Sequence, residues 1–353
     1  MVRRVLLGRR RAPVERARRT SRWAGPPPLL LIATAVALAV TPFVDRDPQP
    51  PAQVETVSAT SGPMLGPPAI PKMQQPARLA GGTASGTVAP VRLKPVRAGV
   101  ASFNMFRKLS VGQARADALA LTRRPAIDVI GWQEAQTFGS AIRGLPGWTT
   151  QTFGFGAGRS ELAVSWRSAE FSLVRARQRV VATGVGWDVG RYPFGTRLVA
   201  VVTLEHRATG RTLTVVNTHL PQAIEDLDRP GSFTPTINAY RAKNQLQKLA
   251  KVFRTAPGRW VVGVGDYNFD ARADAQNRPD GGPRDALGEV AVSSYQVLGT
   301  DVTPTFPVHG RWIDYVWAEK QGYAAQRVRF AGHRVVTGLN SDHHALVAQL
   351  VLS

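Results

Sequence analysis

The spacing of apolar and polar positions divides the chain near residue 97. Beyond that point short apolar runs alternate with helical stretches, and several runs meet polar side chains at one end. Residues 100–105 form a short apolar run interrupted at Asn104, and 128–134 form a buried run leading into Gln133 and Glu134. The same device recurs at 213–219, closing on Asn217 and His219, and at 261–268, closing on Asp266 and Asn268. It returns around Asp314 within 312–317, and a turn over 340–344 opens the last strand. Residues 111–123 predict a helix. Residues 236–254 predict an amphipathic one, with Leu246, Leu249, Ala250 and Phe253 on a single face. Segments 183–196, 221–235 and 270–289, rich in Gly, Pro and Asp, read as long loops.

The first hundred residues follow a different pattern. Nine arginines within residues 1–28 precede an apolar run over 29–44, broken by Thr34, Thr41 and Pro42. Basic then apolar is the order of a signal sequence or a membrane anchor, and the run approaches the ~17-residue lower limit for crossing a bilayer. The positive flank stays cytoplasmic, so the remainder is expected outside, secreted or anchored to the cytoplasmic membrane. Residues 45–96, with prolines at 48, 50, 51, 67, 68, 71 and 76, read as a disordered linker. Residues 97–353 are left as the folded, catalytic part.

Charge changes the picture at one point. The chain carries a formal +21, and residues 97–353 alone hold 31 Lys and Arg against 20 Asp and Glu. A folded part this basic favours polyanionic or anionic-surface ligands, although an arginine-rich solvated surface accounts for the same numbers. There is no cysteine, which excludes disulfides, thiolate metal sites and thiol catalysis.

One polar strand end is an ordinary capping or turn residue. Six of them, holding acids and histidines, point to a common edge that needs a metal or an anionic substrate to balance it. In order along the chain they read SFN (102–104), WQE (132–134), NTHL (217–220), GDYN (265–268), IDY (313–315) and SDHH (341–344). This series resembles the endonuclease/exonuclease/phosphatase superfamily over essentially all of residues 97–353, closest to its pancreatic-type deoxyribonuclease and sphingomyelinase branch. The resemblance implies an α/β four-layer sandwich, two mixed β-sheets packed face to face with helices on the outside.

It also implies roles by position. Glu134 is the principal carboxylate for Mg²⁺ or Mn²⁺, with Asn104 and Asp342 beside the ion. Asp266 takes a proton from the attacking water, and Asn268 holds that water or a phosphoryl oxygen. His343 meets the phosphate with Asp314 fixing its tautomer, while His219 donates to a phosphate oxygen and Glu161 orients it. Arg197 binds either substrate or a backbone carbonyl. His344 is expected to be structural, and His206, His309 and His333 to lie on the surface.

Three functions fit this reading. The first is an exported nuclease acting on DNA or RNA. The second is a membrane-associated phospholipase C, sphingomyelinase-like or phosphoinositide phosphoesterase, touching anionic lipid through Trp187, Tyr192 and Phe194. The third is an inactive binding module on the same fold. NTHL in place of a Tyr-containing segment, together with the export signal, counts against abasic-site repair. No obligate protein partner is evident in the sequence.

Overall fold

The computed structural model of the protein describes residues 94–154, 161–184 and 195–353. The predicted anchor, the predicted linker up to residue 93, and the loop aromatics Trp187, Tyr192 and Phe194 lie outside the described residues, while Val96 at the end of that linker opens the first strand. Among the described residues no helix is long and apolar enough to cross a membrane.

Strand β1 (Val96–Asn104) leads through helix α1 (Val111–Thr122) to β2 (Val129–Gln133). Ser110 starts α1 with a capping box. Its hydroxyl accepts from the Gln113 amide (3.2 Å), and the Gln113 side chain accepts from the Ser110 amide (3.0 Å). A 3-10 turn and α2 (Gly139–Ile142) precede β3 (Trp148–Phe153) and β4 (Leu162–Arg167). A second run then begins, with β5 (Phe171–Ala182), β6 (Arg197–His206), β7 (Arg211–His219), α3 (Ile237–Thr255) and β8 (Trp260–Asp266). Helices α4 (Ala271–Asn277) and α5 (Pro283–Leu287) follow, occupying part of the segment expected to be one long loop. Strand β9 (Ala291–Ser293), α6 (Ser294–Leu298), β10 (Asp314–Glu319), α7 (Lys320–Ala324), β11 (Val328–Val336) and β12 (Ala345–Leu352) complete the chain.

The strands make two six-stranded sheets, ordered β11-β12-β1-β2-β4-β3 and β5-β6-β7-β8-β10-β9. Each sheet is mixed: β1 runs parallel to β2 and β7 to β8, with antiparallel neighbours on both sides. In both parallel pairs the crossover is helical, α1 in one sheet and α3 in the other. The expected architecture of two mixed sheets with helices is therefore the observed one.

Strand periodicity decides which side chains enter the space between the sheets. On β1, Ala98 and Val100 join the large core shared by both sheets, whereas Ala101, Phe103 and Met105 join a second core beneath α1 and α2. Ser102 and Asn104 therefore share the inner face with Val100. On β2 the alternation puts Val129, Gly131 and Gln133 inside. At Gly131 a Cβ would fall 2.3 Å from Val264 and 3.1 Å from Asn217 of the facing sheet, so only glycine permits this approach. The outer face of β8 is also fitted to its cover, since a Cβ at Gly263 would fall 2.4 Å from the Phe253 ring of α3.

Candidate active site

The inner-face parity that buries Val100 also brings Asn104 to the end of β1. The parity that buries Val262 and Val264 brings Asp266 to the end of β8. The two sheets meet there: the Asn104 Nδ2 donates to Asp266 Oδ2 (2.9 Å). The parallel partner of β8 delivers His219 opposite Asp266, and antiparallel β10 delivers Asp314 opposite Asp266 from its other side. Asp314 thus begins its strand where the sequence pattern suggested an ending. An antiparallel neighbour reaches a shared edge with its first residue.

Two histidine–carboxylate pairs flank Asp266. His219 Nδ1 lies 2.7 Å from Glu161 Oε1, and its Nε2 lies 3.4 Å from Asp266 Oδ2. His343 Nδ1 lies 2.9 Å from Asp314 Oδ2, and its Nε2 lies 3.8 Å from the same Asp266 oxygen. In each ring Nδ1 donates to the supporting carboxylate, which leaves Nε2 turned toward Asp266. Asn268, held at φ 49° in the left-handed region, places its Nδ2 3.1 Å from the Leu220 carbonyl and 3.4 Å from His219 Nε2. Its amide donates to Asp266 Oδ1 (2.8 Å).

Electrostatics follow from this packing. Burial and the nearby Arg197 guanidinium both oppose a charge on His219, yet the Asp266 and Glu161 carboxylates outweigh them and raise its pKa to about 9. Burial likewise opposes a charge on His343, and Asp314 with Asp266 raises it to about 9. Burial pushes the Asp266 carboxyl up, but the two imidazoles and the Asn104 amide hold it well below the usual range. Asp314 moves the other way: burial dominates over the His343 contact and lifts it to about 6. At Glu161 burial is outweighed by Arg197 and His219, and its pKa is lowered. At neutral pH the edge is a lattice of alternating charges.

Glu134 stands at the cleft mouth. It follows β2 with φ 54°, a left-handed conformation rare outside glycine, which turns it away from the strand direction. Its Oε2 accepts from the Arg107 amide at 2.8 Å. A cavity of about 210 Å³ opens there, lined among others by Arg107, Lys108, Glu134, Asp266, Asp342 and His343. The donor set fits a hard divalent cation. Asp342 keeps a buried Oδ1 with no partner, and burial followed by Glu134 and Asp266 raises its pKa. Carboxylates crowded in this way suit a hard cation. Asp342 Oδ1 is free and Glu134 Oε1 meets only the Arg107 guanidinium at 3.9 Å, whereas the Asn104 Oδ1 already accepts from the Phe106 amide (2.9 Å). Asp266, Asp314 and His343 also bring one ligand atom each within 4.8 Å of one another. Since Asp314 and His343 are engaged with each other, that trio reads better as a proton-handling group.

Several expectations need correction. Arg197 is ion-paired with Glu161, behind His219. His206 is buried at 5% exposure, packed edge-on against Phe171, where a surface position was expected. His309 is exposed and His333 is partly buried on β11. His344 is held by the backbone, Nδ1 lying 3.1 Å from the Pro304 carbonyl, and it precedes β12. Asn217 serves the interior: its Nδ2 donates to the Trp132 and Ala163 carbonyls (2.9 and 3.0 Å), and its Oδ1 accepts from Gln133 (2.8 Å). It ties the two sheets together just below the site.

Other contributors carry no motif. Asp117 of α1 accepts from the Asn340 and Ser341 amides (2.8 and 3.0 Å) and so fixes the turn that presents His343. An acid on the buried face of a helix was the available signal. Thr305 accepts from the Ile313 and Asp314 amides (3.1 Å each), and Phe306 packs against the His343 ring with centroids 5.0 Å apart. Glu225 accepts from the Asp270 amide (2.9 Å) and pairs with Arg311, which reaches the Asn268 carbonyl (3.3 Å).

No family model matches the sequence, and no curated protein does. Solved structures do match. An endonuclease/exonuclease/phosphatase of Bacteroides vulgatus aligns with a TM-score of 0.55 at 17% identity, covering 73% of this chain and all of that one. A mannosyl-6-phosphatase of Bacteroides thetaiotaomicron aligns at 0.52 and 17%, covering 72% of this chain and all of that one. The D. rerio protein TDP2, in complex with a single-strand DNA product, aligns at 0.53 and 14%, covering 72% and 98%. The chain has the endonuclease/exonuclease/phosphatase superfamily fold.

Proposed function

From this fold and the edge it presents, we propose that the protein is a divalent-metal-dependent phosphoester hydrolase, exported from the cytoplasm, that cleaves phosphodiester bonds of nucleic acid. The observation that carries the reading is the convergence of two imidazoles, each backed by a carboxylate, on one oxygen of Asp266. Hydrolysis of a phosphoester needs an acceptor for the proton of water and donors for oxygens on which negative charge grows. Asp266 is the acceptor. It lies between the two Nε2 atoms, and it takes the proton of the attacking water as the oxygen of that water bonds to phosphorus. The imidazoles supply the donors. His219 Nε2–H faces a non-bridging phosphoryl oxygen, and His343 Nε2–H passes its proton to the departing ester oxygen as the P–O bond breaks. One water is consumed and the products are an alcohol and a phosphate ester.

Glu134 and Asp342 would hold a Mg²⁺ or Mn²⁺ ion, which when bound neutralises phosphoryl charge and orients it. Arg107 and Lys108 line the same cavity and favour an anionic substrate. A nucleic-acid substrate fits the basic balance of residues 97–353 and the single-strand DNA product in the TDP2 structure.

The test is a panel of plasmid DNA, RNA, sphingomyelin, a sugar phosphate and bis-p-nitrophenyl phosphate, each with Mg²⁺ and with chelator. Cleavage of a nucleic acid only with metal supports the reading, and release of lipid headgroups or sugar alone overturns the substrate. Glu134→Gln should weaken Mn²⁺ binding measured by calorimetry on the full chain, independent of turnover. Unchanged Mn²⁺ affinity would remove Glu134 from the metal site.

A further inference from the structure

Strand β5 is one of the two edges of its sheet. Its middle carries three arginines at alternate positions, Arg175, Arg177 and Arg179, opposite Thr203, Val201 and Val199 of β6. All three are exposed, and none lies within ion-pair distance of a carboxylate among the described residues. Alternation puts them on one face, and it is the outer one: they share a shallow groove with Val252 and Thr255 of α3. Helix α3 adds to the same sign. Its 19 residues include Arg241, Lys243, Lys248, Lys251 and Arg254 and no acid. The 12 residues of β5 also contain no acid.

We infer that this outer face of β5 and α3 is a binding track for a nucleic-acid strand, separate from the catalytic cavity and leading toward it. Three features favour a linear polyanion. Alternate strand residues repeat every ~6.7 Å, so the guanidiniums form a row with the step of successive phosphates on an extended strand. The groove between the row and α3 has an apolar floor of Val201, Val252 and Ala256 against which sugars and bases can lie. The row also points at the site. Arg179 pairs with Val199, two residues along β6 from Arg197, whose guanidinium sits on Glu161 behind His219. Edge strands are often blunted by one or two charges against self-pairing, but such protection gives no reason for Arg241 and Lys248 of α3, which reach Thr183 and the Val181 carbonyl at the end of β5.

The inference rests on the phosphodiester-hydrolase reading for the identity of the polymer, and its test is separable from it. Binding of a fluorescent 20-nucleotide single strand to the full-length chain is measured in chelator, where no hydrolysis occurs. Arg175→Gln/Arg177→Gln/Arg179→Gln should weaken affinity about tenfold or more at physiological salt. The slope of log affinity against log salt should fall by about 2, three lost phosphate contacts at ~0.7 each. Metal-dependent hydrolysis of bis-p-nitrophenyl phosphate, too small to reach the track, should stay within twofold. Arg241→Gln/Lys248→Gln, on the α3 face that meets β5, should weaken DNA binding in the same direction, and it keeps the question open to test if the β5 variant aggregates. Unchanged DNA affinity and salt slope in these variants overturns the track. So does a loss confined to phosphatidylserine vesicles, which would make the face a membrane contact. If no substrate is hydrolysed while the track variants still lose DNA binding, the catalytic reading fails and the track stands.

Discussion

Two buried histidines stand at opposite ends of the β6–β7 hairpin, and they titrate in opposite directions. His219 closes β7 at the edge that gathers Asp266 and Asp314, with a pKa raised to about 9, whereas His206 closes β6 at the far end with a pKa lowered. Burial lowers both, so it cannot be the difference. What differs is the carboxylates each ring meets. His219 has Glu161 at 2.7 Å and Asp266 at 3.4 Å, the first 15% exposed and the second 1%. His206 has a Thr209 hydroxyl at 3.0 Å and Glu170 at 3.8 Å, and that carboxylate is half exposed and screened by water. A buried imidazole becomes a standing proton donor only where the fold commits buried carboxylates to it. At the far end the same residue is core.

The contrast breaks most sharply at Asp266, whose Oδ2 both His219 and His343 face. Asp266→Asn should reduce kcat roughly a thousandfold or more, with the fold retained by circular dichroism. Near-normal turnover would show that the proton is accepted elsewhere. The Asp314–His343 pair should come next. Asp314→Ala and His343→Ala are each expected to lower kcat roughly a hundredfold, and the double variant to be about as slow as the slower single one. A double loss equal to the product of the two would mean they act independently.

Glu161→Gln sharpens the contrast directly. It removes one of the two carboxylates that separate His219 from His206, so the His219 pKa should fall from about 9, with kcat down roughly tenfold. The imidazole resonances report both rings in one NMR titration, and an unmoved His219 would mean that Glu161 does not set its charge.

Stability against pH carries a smaller, opposite pair of signs. For His219 the folded pKa lies above the unfolded value of ~6.5, so its contribution is full below pH ~6.5 and is lost as pH rises through about 9. For His206 the folded pKa lies below that value, so its contribution is present above pH ~6.5 and is lost as pH falls through the folded pKa. Chemical denaturation of His206→Gln should show a loss of about 1–2 kcal/mol at pH 8, a weaker dependence below pH 6.5, and kcat within twofold of the parent. An unchanged acid limb would mean that His206 does not titrate on unfolding.

Much of the architecture was legible because local periodicity is a property of the chain alone. Helix α3 and its buried face followed from the apolar positions, and each strand near the edge followed from an apolar run meeting a polar side chain. So did the candidates: Asn104, Glu134, His219, Asp266, Asn268, Asp314, Asp342 and His343 lie at one edge, with Glu161 behind His219. Tertiary structure alone decided their direction and their neighbours. Whether Asp314 begins or ends its strand depends on antiparallel pairing with β8, across 48 residues of sequence. That Arg197 serves Glu161, that Asn217 ties sheet to sheet, and that Asp117 on α1 holds the His343 turn are contacts between elements far apart in the chain. Periodicity says which face a side chain occupies. Only the packing of one face on another says which charge it will meet there, and that meeting separates His219 from His206.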